Sequence, residues 1–329
     1  MIKASKVKDV KNISTFEELS LAWLEKKKIK LKPSSYSKYD YLLSDYIIPE
    51  FSTRTIEEIR LESVETGISN IYNSNRTSKI SNSMMKSIIY IVNAVLAYGT
   101  RLGYFNVGRA IFELPSNHEN KKANILKPNQ ENVLIHYLLN NRTDNNLGIM
   151  FSLLTGMRLG EVCALKRGSI DFKKAVVHVN STVQRISILN QDFKTKLVVT
   201  SPKSKGSNRE IPLPKFLLDY IKEFNVHKID GDLFILGKSK IPYEPRTLQY
   251  GFKTALENCK IEHKNYHSLR HTFATNCIKS GFDVKTLSEI LGHASVSFTL
   301  NRYVHSDIEH KRSQMEKLEK NYKRAAQIS

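Results

Sequence analysis

The feature that most constrains this chain is an ordered series of basic side chains that ends in a tyrosine. The series runs from residue 158 to residue 303, so a fold in which these side chains act together must bring distant segments to one place. Fixed cations, a proton-transferring group and a phenol are together what a protein needs to break a phosphodiester bond without a metal. The members of the series are Arg158, Lys203, His267, Arg270, His293 and Tyr303.

The charge balance indicates a polyanionic partner. The chain has 329 residues, which is long enough for two domains with separate cores. Its 51 lysines and arginines outnumber 32 acidic residues and give a formal charge of +19, and both residues 1–127 and the remainder are net basic. Nucleic acid fits such a chain better than a membrane surface does.

The sequence contains no signal for a membrane span or for secretion. The apolar run at 87–97 is too short to cross a bilayer and is interrupted by Asn93, and no apolar segment follows the N-terminal lysines. The three cysteines, Cys163, Cys259 and Cys277, are scattered, which argues against a disulfide framework or a zinc site. We therefore expect a cytoplasmic protein of a reducing compartment.

Helical periodicity and chain-breaking residues divide the chain into segments. Capping boxes at 14–18 open a first helix, and apolar spacing over 84–96 predicts a long helix that stops near Gly103. A helix that begins at residue 34 or 35 is expected to stop before Pro49. The predicted organisation is a short basic arm at 1–13, a helical domain at 14–114, a linker at 115–128 and a second domain at 129–329 with a C-terminal tail at 306–329.

The second domain combines helical and strand patterns. A β-rich stretch follows two helical patterns, and helices then resume toward the C-terminus. We therefore expect a mainly α fold with a small antiparallel β-sheet, in the α+β class. The predicted helices are 129–141, 146–154, 214–225, 247–260, 267–280, 283–291 and 297–304, and the predicted strands are 175–179, 182–186, 197–200 and 209–211.

Two arginines are the candidate groups that neutralise a phosphate. A guanidinium stays charged and can hold two oxygens at once. Arg158 follows a Thr-Gly turn, and Arg270 lies three residues after His267, which places these last two side chains on one face of a helix. Lys203 lies between two predicted strands, where its ammonium could reach a leaving group as a general acid, but other basic residues nearby leave that choice open on composition alone.

Taken together, the segments around these residues closely resemble the tyrosine recombinases, the phage-integrase family of site-specific DNA recombinases. The resemblance extends from about residue 14 to residue 310. It implies that residues 14–114 are a SAM-like core-binding domain, which forms a clamp around duplex DNA with the catalytic domain at 129–329. The segments that carry it are 155–161 (TGMRLGE), 202–213 (PKSKGSNREIPL), 267–270 (HSLR), 291–295 (LGHAS) and 299–305 (TLNRYVH).

The resemblance also implies a role for each residue of the series. Tyr303 would be the nucleophile that forms a 3′-phosphotyrosine, with Tyr266 and Tyr322 as the alternatives. His267 could accept the phenolic proton, and His293 would hydrogen-bond the scissile phosphate.

The same comparison separates the basic residues from one another. Lys203 matches the family pattern Pro-Lys-Thr-Lys, although Ser204 replaces the threonine, and Lys205 is the alternative general acid. Lys205 and Arg209 are also candidate DNA contacts. Glu161 either orients neighbouring active-site groups, as the resemblance implies, or is a first-turn acid favoured by the helix dipole.

We expect no cofactor, no metal and no ATP requirement. The sequence contains neither a glycine-rich phosphate loop nor clustered carboxylates suited to two metals. A 3′-phosphotyrosine bond is similar in energy to the bond that is broken, so a second DNA strand can reverse the step.

The resemblance implies a function in integrating or excising a mobile element. The expected partners are double-stranded attachment sites and three further copies of the chain, which form a homotetramer on DNA in the synapse and are monomers in solution. An excisionase or DNA-bending protein is a candidate accessory factor. The tail after Tyr303 is expected to dock on a neighbouring protomer. Alternative functions are dimer resolution, DNA inversion, a type IB-like topoisomerase and a non-catalytic DNA-binding protein.

Overall fold

The computed structural model describes most of the chain in several ranges. The N-terminal arm through residue 12, residues 116–124 of the predicted linker, Lys203, Lys205, Tyr303 and most of the predicted helix at 297–304 and of the tail lie outside the described residues. The described residues are 13–74, 80–115, 125–187, 195–201, 208–293, 295–297, 299, 312, 315, 316, 319 and 322.

The chain divides into two compact units. One unit consists of Met1–Asn120 and Arg185–Lys196, and the other of Lys121–Gln184 and Leu197–Ser329. The first of these two segments, residues 1–120, is mainly helical in its described part, whereas the described residues of 185–196 lie in two strands whose ranges are given below. The helices of this first segment are α1 (Phe16–Lys28), α2 (Pro33–Leu42), α3 (Ile48–Phe51), α4 (Leu61–Asn73) and α5 (Asn82–Arg101).

Local sequence signals set the ends of these helices. Thr15 caps α1 by accepting a hydrogen bond from the backbone nitrogen of Glu18 at 3.2 Å. Helix α5 is amphipathic, and its apolar face packs into the core of the first unit. The chain turns after α5 at Gly103, whose φ of 80° lies in the left-handed region. This is the stop that the sequence predicted.

The second helix, α2, ends at Leu42 and so stops before Pro49 as predicted, but the chain remains helical past this proline. After α2 the chain continues through a π-helical turn at Leu43–Ile47 directly into α3, in which Pro49 occupies the first turn. A proline is tolerated there because the first backbone nitrogens of a helix have no intrahelical acceptor. The change of helical pitch therefore lets the helical path pass a residue that would break a regular helix.

The second unit combines helices with small antiparallel β-structure, in agreement with the predicted α+β class. Strands β1, β2 and β5 form an antiparallel sheet in which Val177 of β2 faces Ile170 on one side and Ile211 on the other, while β3 pairs with β4. The strands are β1 (Ile170–Asp171), β2 (Val176–Val179), β3 (Thr182–Ser187), β4 (Thr195–Thr200) and β5 (Arg209–Pro212). The helices are α6 (Pro128–Asn140), α7 (Asp144–Thr155), α8 (Leu159–Cys163), α9 (Lys215–Glu223), α10 (Pro245–Asn258), α11 (His267–Lys279) and α12 (Val284–Leu291).

Helix α7 is the centre of this second unit. It packs against α10 and α11, and nearly all of its residues are buried. A helix that is apolar on all sides can only be placed inside a core. Its C-terminus is therefore held firmly, and the chain leaves it toward Arg158. Within the described ranges, no helix is both long and apolar enough to cross a membrane.

Candidate active site

The chain enters the site through a turn that requires glycine. Gly156 ends α7 with a φ of 66°, and a methyl group in its place would lie 2.5 Å from the Phe273 ring and 2.8 Å from Leu291. Both the backbone conformation and the lack of space disfavour a side chain here. The turn places Arg158 immediately before α8.

A buried carboxylate lies between two arginines. Glu161 is 3% exposed, and its Oε1 accepts hydrogen bonds from Arg158 Nη1 at 2.8 Å and from Arg209 Nη1 at 3.1 Å. Its Oε2 accepts from the backbone nitrogen of Arg158 and from Arg209 Nη2, both at 2.9 Å. The carboxylate thus contacts both the side chain and the backbone of Arg158 in the first turn of α8.

The ionisation of Glu161 follows from these contacts. Burial alone would raise the pKa of its carboxyl group, but the hydrogen bonds and charge of Arg209, with a smaller contribution from Arg158, hold this pKa below its usual value. Glu161 is therefore negatively charged at neutral pH. The side chain of Arg158 is 36% exposed, so this arginine is the member of the cluster that is open to solvent.

Arg270 connects the end of α7 to the end of α12. Its side chain extends from the first turn of α11 and is 2% exposed. Nη1 donates to the carbonyl of Gly156 and Nη2 to the carbonyl of Leu291, both at 2.7 Å. Because Gly156 lies two residues before Arg158, these contacts place the two sequence-predicted arginines at the same point of the fold.

The C-terminus of α12 is the element at which the arginines converge. Gly292 has a φ of 64°, and the backbone nitrogens of Gly292 and His293 bond to the carbonyls of Glu289 and Ser288, which makes a Schellman motif. The next three carbonyls each accept from a different arginine: Ile290 from Arg209, Leu291 from Arg270 and Gly292 from Arg158 at 3.1 Å. Cations are favoured at a helix C-terminus because its carbonyls carry partial negative charge.

His293 follows directly after this helix end. Its Nδ1 lies 2.7 Å from the hydroxyl of Thr299, which is fully buried, and this contact holds the imidazole ring. His267 lies at the start of α11, where its ring makes an edge contact with the ring of His271 at 4.5 Å between centroids. The structure thus brings Arg158, Glu161, Arg270 and His293 together at the end of α12, with His267 one turn before Arg270.

The other predicted site residues stand as follows. Lys203, Lys205 and Tyr303 lie outside the described residues. Tyr266, an alternative nucleophile, is buried, and its hydroxyl lies 2.8 Å from Ser152 Oγ and donates to the carbonyl of Gly148 at 3.0 Å. Burial raises the pKa of this phenol well above its usual value, which makes Tyr266 unsuited to nucleophilic attack.

Arg209 has a different position from the one that the sequence suggested. It was a candidate DNA contact, but its side chain is 5% exposed and bonds to Glu161 and Ile290. Such burial does not favour a contact with a phosphate. Tyr322, the other alternative nucleophile, is 66% exposed.

This arrangement suits an enzyme that stabilises negative charge on a phosphate. Fixed guanidinium groups, held in place before the substrate arrives, require no reorganisation when charge develops. Among the described residues, no group of three or more His, Cys, Asp or Glu side chains is arranged to hold a metal ion. The class of protein that this fold and this cation cluster indicate is one that acts on phosphodiester bonds.

Comparison with known proteins identifies the family. The model of the phage integrase family matches residues 124–310, and the model of the phage integrase N-terminal SAM-like domain matches residues 15–70. The chain therefore belongs to the phage integrase family, and the resemblance predicted from its motifs is confirmed.

Relatives and solved structures agree with this assignment. The chain is 25% identical to a XerC-like tyrosine recombinase of Caldanaerobacter subterraneus and 26% identical to the ICEBs1 integrase of Bacillus subtilis, and each comparison covers 88% of this chain and 79% of the relative. Its fold is similar to that of the Tn1549 transposon integrase in complex with transposon right-end DNA, with a TM-score of 0.72, 18% identity and coverage of 92% of this chain and 99% of the other.

Proposed function

We propose that this chain integrates and excises a mobile DNA element by cutting and rejoining strands through a 3′-phosphotyrosine intermediate. The observation that supports this most directly is the convergence of Arg158 and Arg270 on successive carbonyls at the end of α12, immediately before His293. Such a cluster provides two fixed cations and a hydrogen-bonding ring for a single phosphate.

The proposed step balances without a cofactor. The phenolic oxygen of Tyr303 attacks the scissile phosphorus, a bond forms between them, and the bond from phosphorus to the 5′ oxygen breaks. His267 accepts the phenolic proton, and Lys203 protonates the departing 5′ oxygen. Arg158, Arg270 and His293 neutralise the charge that grows on the non-bridging oxygens, and attack by a 5′-hydroxyl of a second strand reverses the step.

The proposed partners follow from the charge and the family. A formal charge of +19 favours association with a duplex, and phosphate contacts make that association dependent on salt. Strand exchange between two attachment sites requires a cut on each of four strands, so we propose a homotetramer in the synapse. An excisionase or DNA-bending protein is the proposed accessory factor for excision.

Covalent trapping tests this proposal. Wild type and Tyr303→Phe are incubated with nicked duplexes that carry the end sequences of the element encoding the chain, with a chelator present. We expect wild type alone to give a protein–DNA adduct on a denaturing gel. The phenylalanine variant is the matched control, because it retains the ring and removes only the nucleophilic oxygen.

Each other outcome of this assay argues against a defined part of the proposal. An adduct from both proteins would move the nucleophile to another tyrosine, with Tyr322 tested next. Binding of the duplex without an adduct from either protein would favour a non-catalytic DNA-binding function. In a separate assay on a supercoiled plasmid, relaxation without a partner duplex would favour a topoisomerase.

A further inference from the structure

Arg209 is buried within the site, although the proposed chemistry gives it no role. Its side chain is 5% exposed, and Nη1 and Nη2 donate to the two oxygens of Glu161 at 3.1 and 2.9 Å. Its Nε donates to the carbonyl of Ile290 in α12. A guanidinium with these partners cannot reach a DNA phosphate unless it leaves them.

The strand that carries Arg209 explains why its side chain points inward. Side chains alternate along β5, where Arg209 and Ile211 are buried while Glu210 is exposed and pairs with His178 at 3.3 Å. An arginine on the inner face of a strand must have polar partners, because an unpaired buried charge is strongly unfavourable. The planar guanidinium has donors on three nitrogens, so it can serve both oxygens of one carboxylate and one helix carbonyl together.

The charge of Arg209 changes what Arg158 can do. Glu161 bonds to both arginines, so the three side chains together carry one net positive charge. Without Arg209, the negative charge of Glu161 would be matched by Arg158 alone, and this pair would be neutral. Arg209 therefore compensates Glu161 and leaves the positive charge of Arg158 available to a phosphate.

The geometry points to Arg209 as a positioning residue of the recombination site. Arg209 acts on Arg158 through Glu161 and on the end of α12 through the carbonyl of Ile290. This inference rests on the function proposed above. Arg209 itself touches neither the DNA nor the reacting atoms. Its effect belongs to the rate of strand cleavage rather than to the affinity for DNA.

The test compares Arg209→Met with wild type in covalent trapping at saturating duplex, with DNA affinity measured separately. Methionine keeps much of the length and apolar character of the side chain and removes the charge. We expect cleavage about 10- to 100-fold slower with DNA affinity retained, which is less than the loss of a direct oxyanion donor. Arg209→Lys keeps the charge without the planar donors, so its rate should lie between those of wild type and Arg209→Met, and it decides the question if the methionine variant does not fold.

A neutral substrate separates positioning from a purely structural role. A duplex with a methylphosphonate at the scissile position lacks the negative charge that Arg158 would neutralise, so the ratio of wild-type to variant rates should shrink on this substrate. A general defect in folding would lower both rates by the same factor. Arg167→Met is the control, because the contacts of Arg167 are with other partners in the same unit. Its guanidinium packs over the Phe172 ring at 4.9 Å and donates to the carbonyl of Ile170 at 3.3 Å. The Arg167→Met variant should cleave at the wild-type rate.

The outcomes distinguish this inference from the function on which it rests. If wild type forms an adduct and Arg209→Met forms it equally fast, Arg209 has no positioning role. The same conclusion follows if the variant is slower by one factor on both substrates, or if only its DNA affinity falls. If wild type gives no adduct, the proposed function fails and this inference fails with it.

Discussion

Replacing Gly156 with alanine should destabilise the second unit more than any backbone effect alone can explain. An L-residue at a φ of 66° costs about 1–2 kcal/mol relative to glycine. The added methyl group would also lie 2.5 Å from Phe273 and 2.8 Å from Leu291, and such overpacking costs about 1–3 kcal/mol more. The expected loss in the free energy of unfolding is therefore about 2–5 kcal/mol.

A matched glycine in the same unit isolates the second contribution. Gly237 has a φ of 76°, but a methyl group there would lie 3.6 Å from Tyr243, which is an ordinary contact. Gly237→Ala should therefore lose only the conformational part, about 1–2 kcal/mol. Urea denaturation followed by circular dichroism measures both variants against wild type, and the slope of each transition shows whether the comparison is valid.

Cleavage assays should separate the same two variants. The carbonyl of Gly156 accepts a hydrogen bond from Arg270, and Leu291, which the new methyl group would displace, provides the other carbonyl that Arg270 contacts. Gly156→Ala should therefore form the covalent adduct more slowly than Gly237→Ala under conditions where both are folded. Equal losses of stability in the two variants would refute the steric argument, and equal cleavage rates would refute the connection to Arg270.

Two further predictions concern single side chains. Because the pKa of Glu161 is lowered in the folded protein, its ionisation stabilises the fold above the unfolded-state pKa of about 4.3, and this stabilisation is lost as the pH falls through the lower folded-state pKa. Urea midpoints measured from pH 7 to pH 3 should therefore fall more steeply for wild type than for Glu161→Gln. Parallel curves for the two proteins would contradict this prediction. Tyr266→Phe should lower the free energy of unfolding by about 1–3 kcal/mol, because it removes the buried hydroxyl between Ser152 and the carbonyl of Gly148. The variant should still form the covalent adduct. If a folded Tyr266→Phe formed no adduct, Tyr266 would again be a candidate nucleophile.

Local patterns predicted most helices and strands, and the exceptions have physical causes. The apolar spacing in α5 and the glycine that follows it define that helix from sequence alone. Pro49 correctly indicated that α2 stops before it, but it gave no sign of α3, because the rule against proline applies to a helix interior and not to the first turn of a new helix. β1 was missed because two residues are too few to show an alternating pattern.

The candidate site shows the same division between local and non-local information. The motifs identified Arg158, Arg270 and His293, and their proximity at the end of α12 depends on tertiary contacts that no local pattern encodes. Arg209 was a candidate DNA contact, although its alternation with Ile211 on a predicted strand was a signal that it faces inward. A charged residue at an inward position of a strand indicates a buried partner.

Three arginines placed close together would repel one another before any DNA arrives, and the fold contains what offsets this repulsion. Glu161 provides one full negative charge, and the carbonyls at the C-terminus of α12 provide the equivalent of about half a charge more. The cluster of Arg158, Arg209 and Arg270 therefore keeps a net charge of about +1.5. That remaining positive charge attracts a phosphate, which carries a single negative charge before attack and more during it. The Schellman turn contributes directly, because it uses the carbonyls of Ser288 and Glu289 and leaves the next three to the arginines.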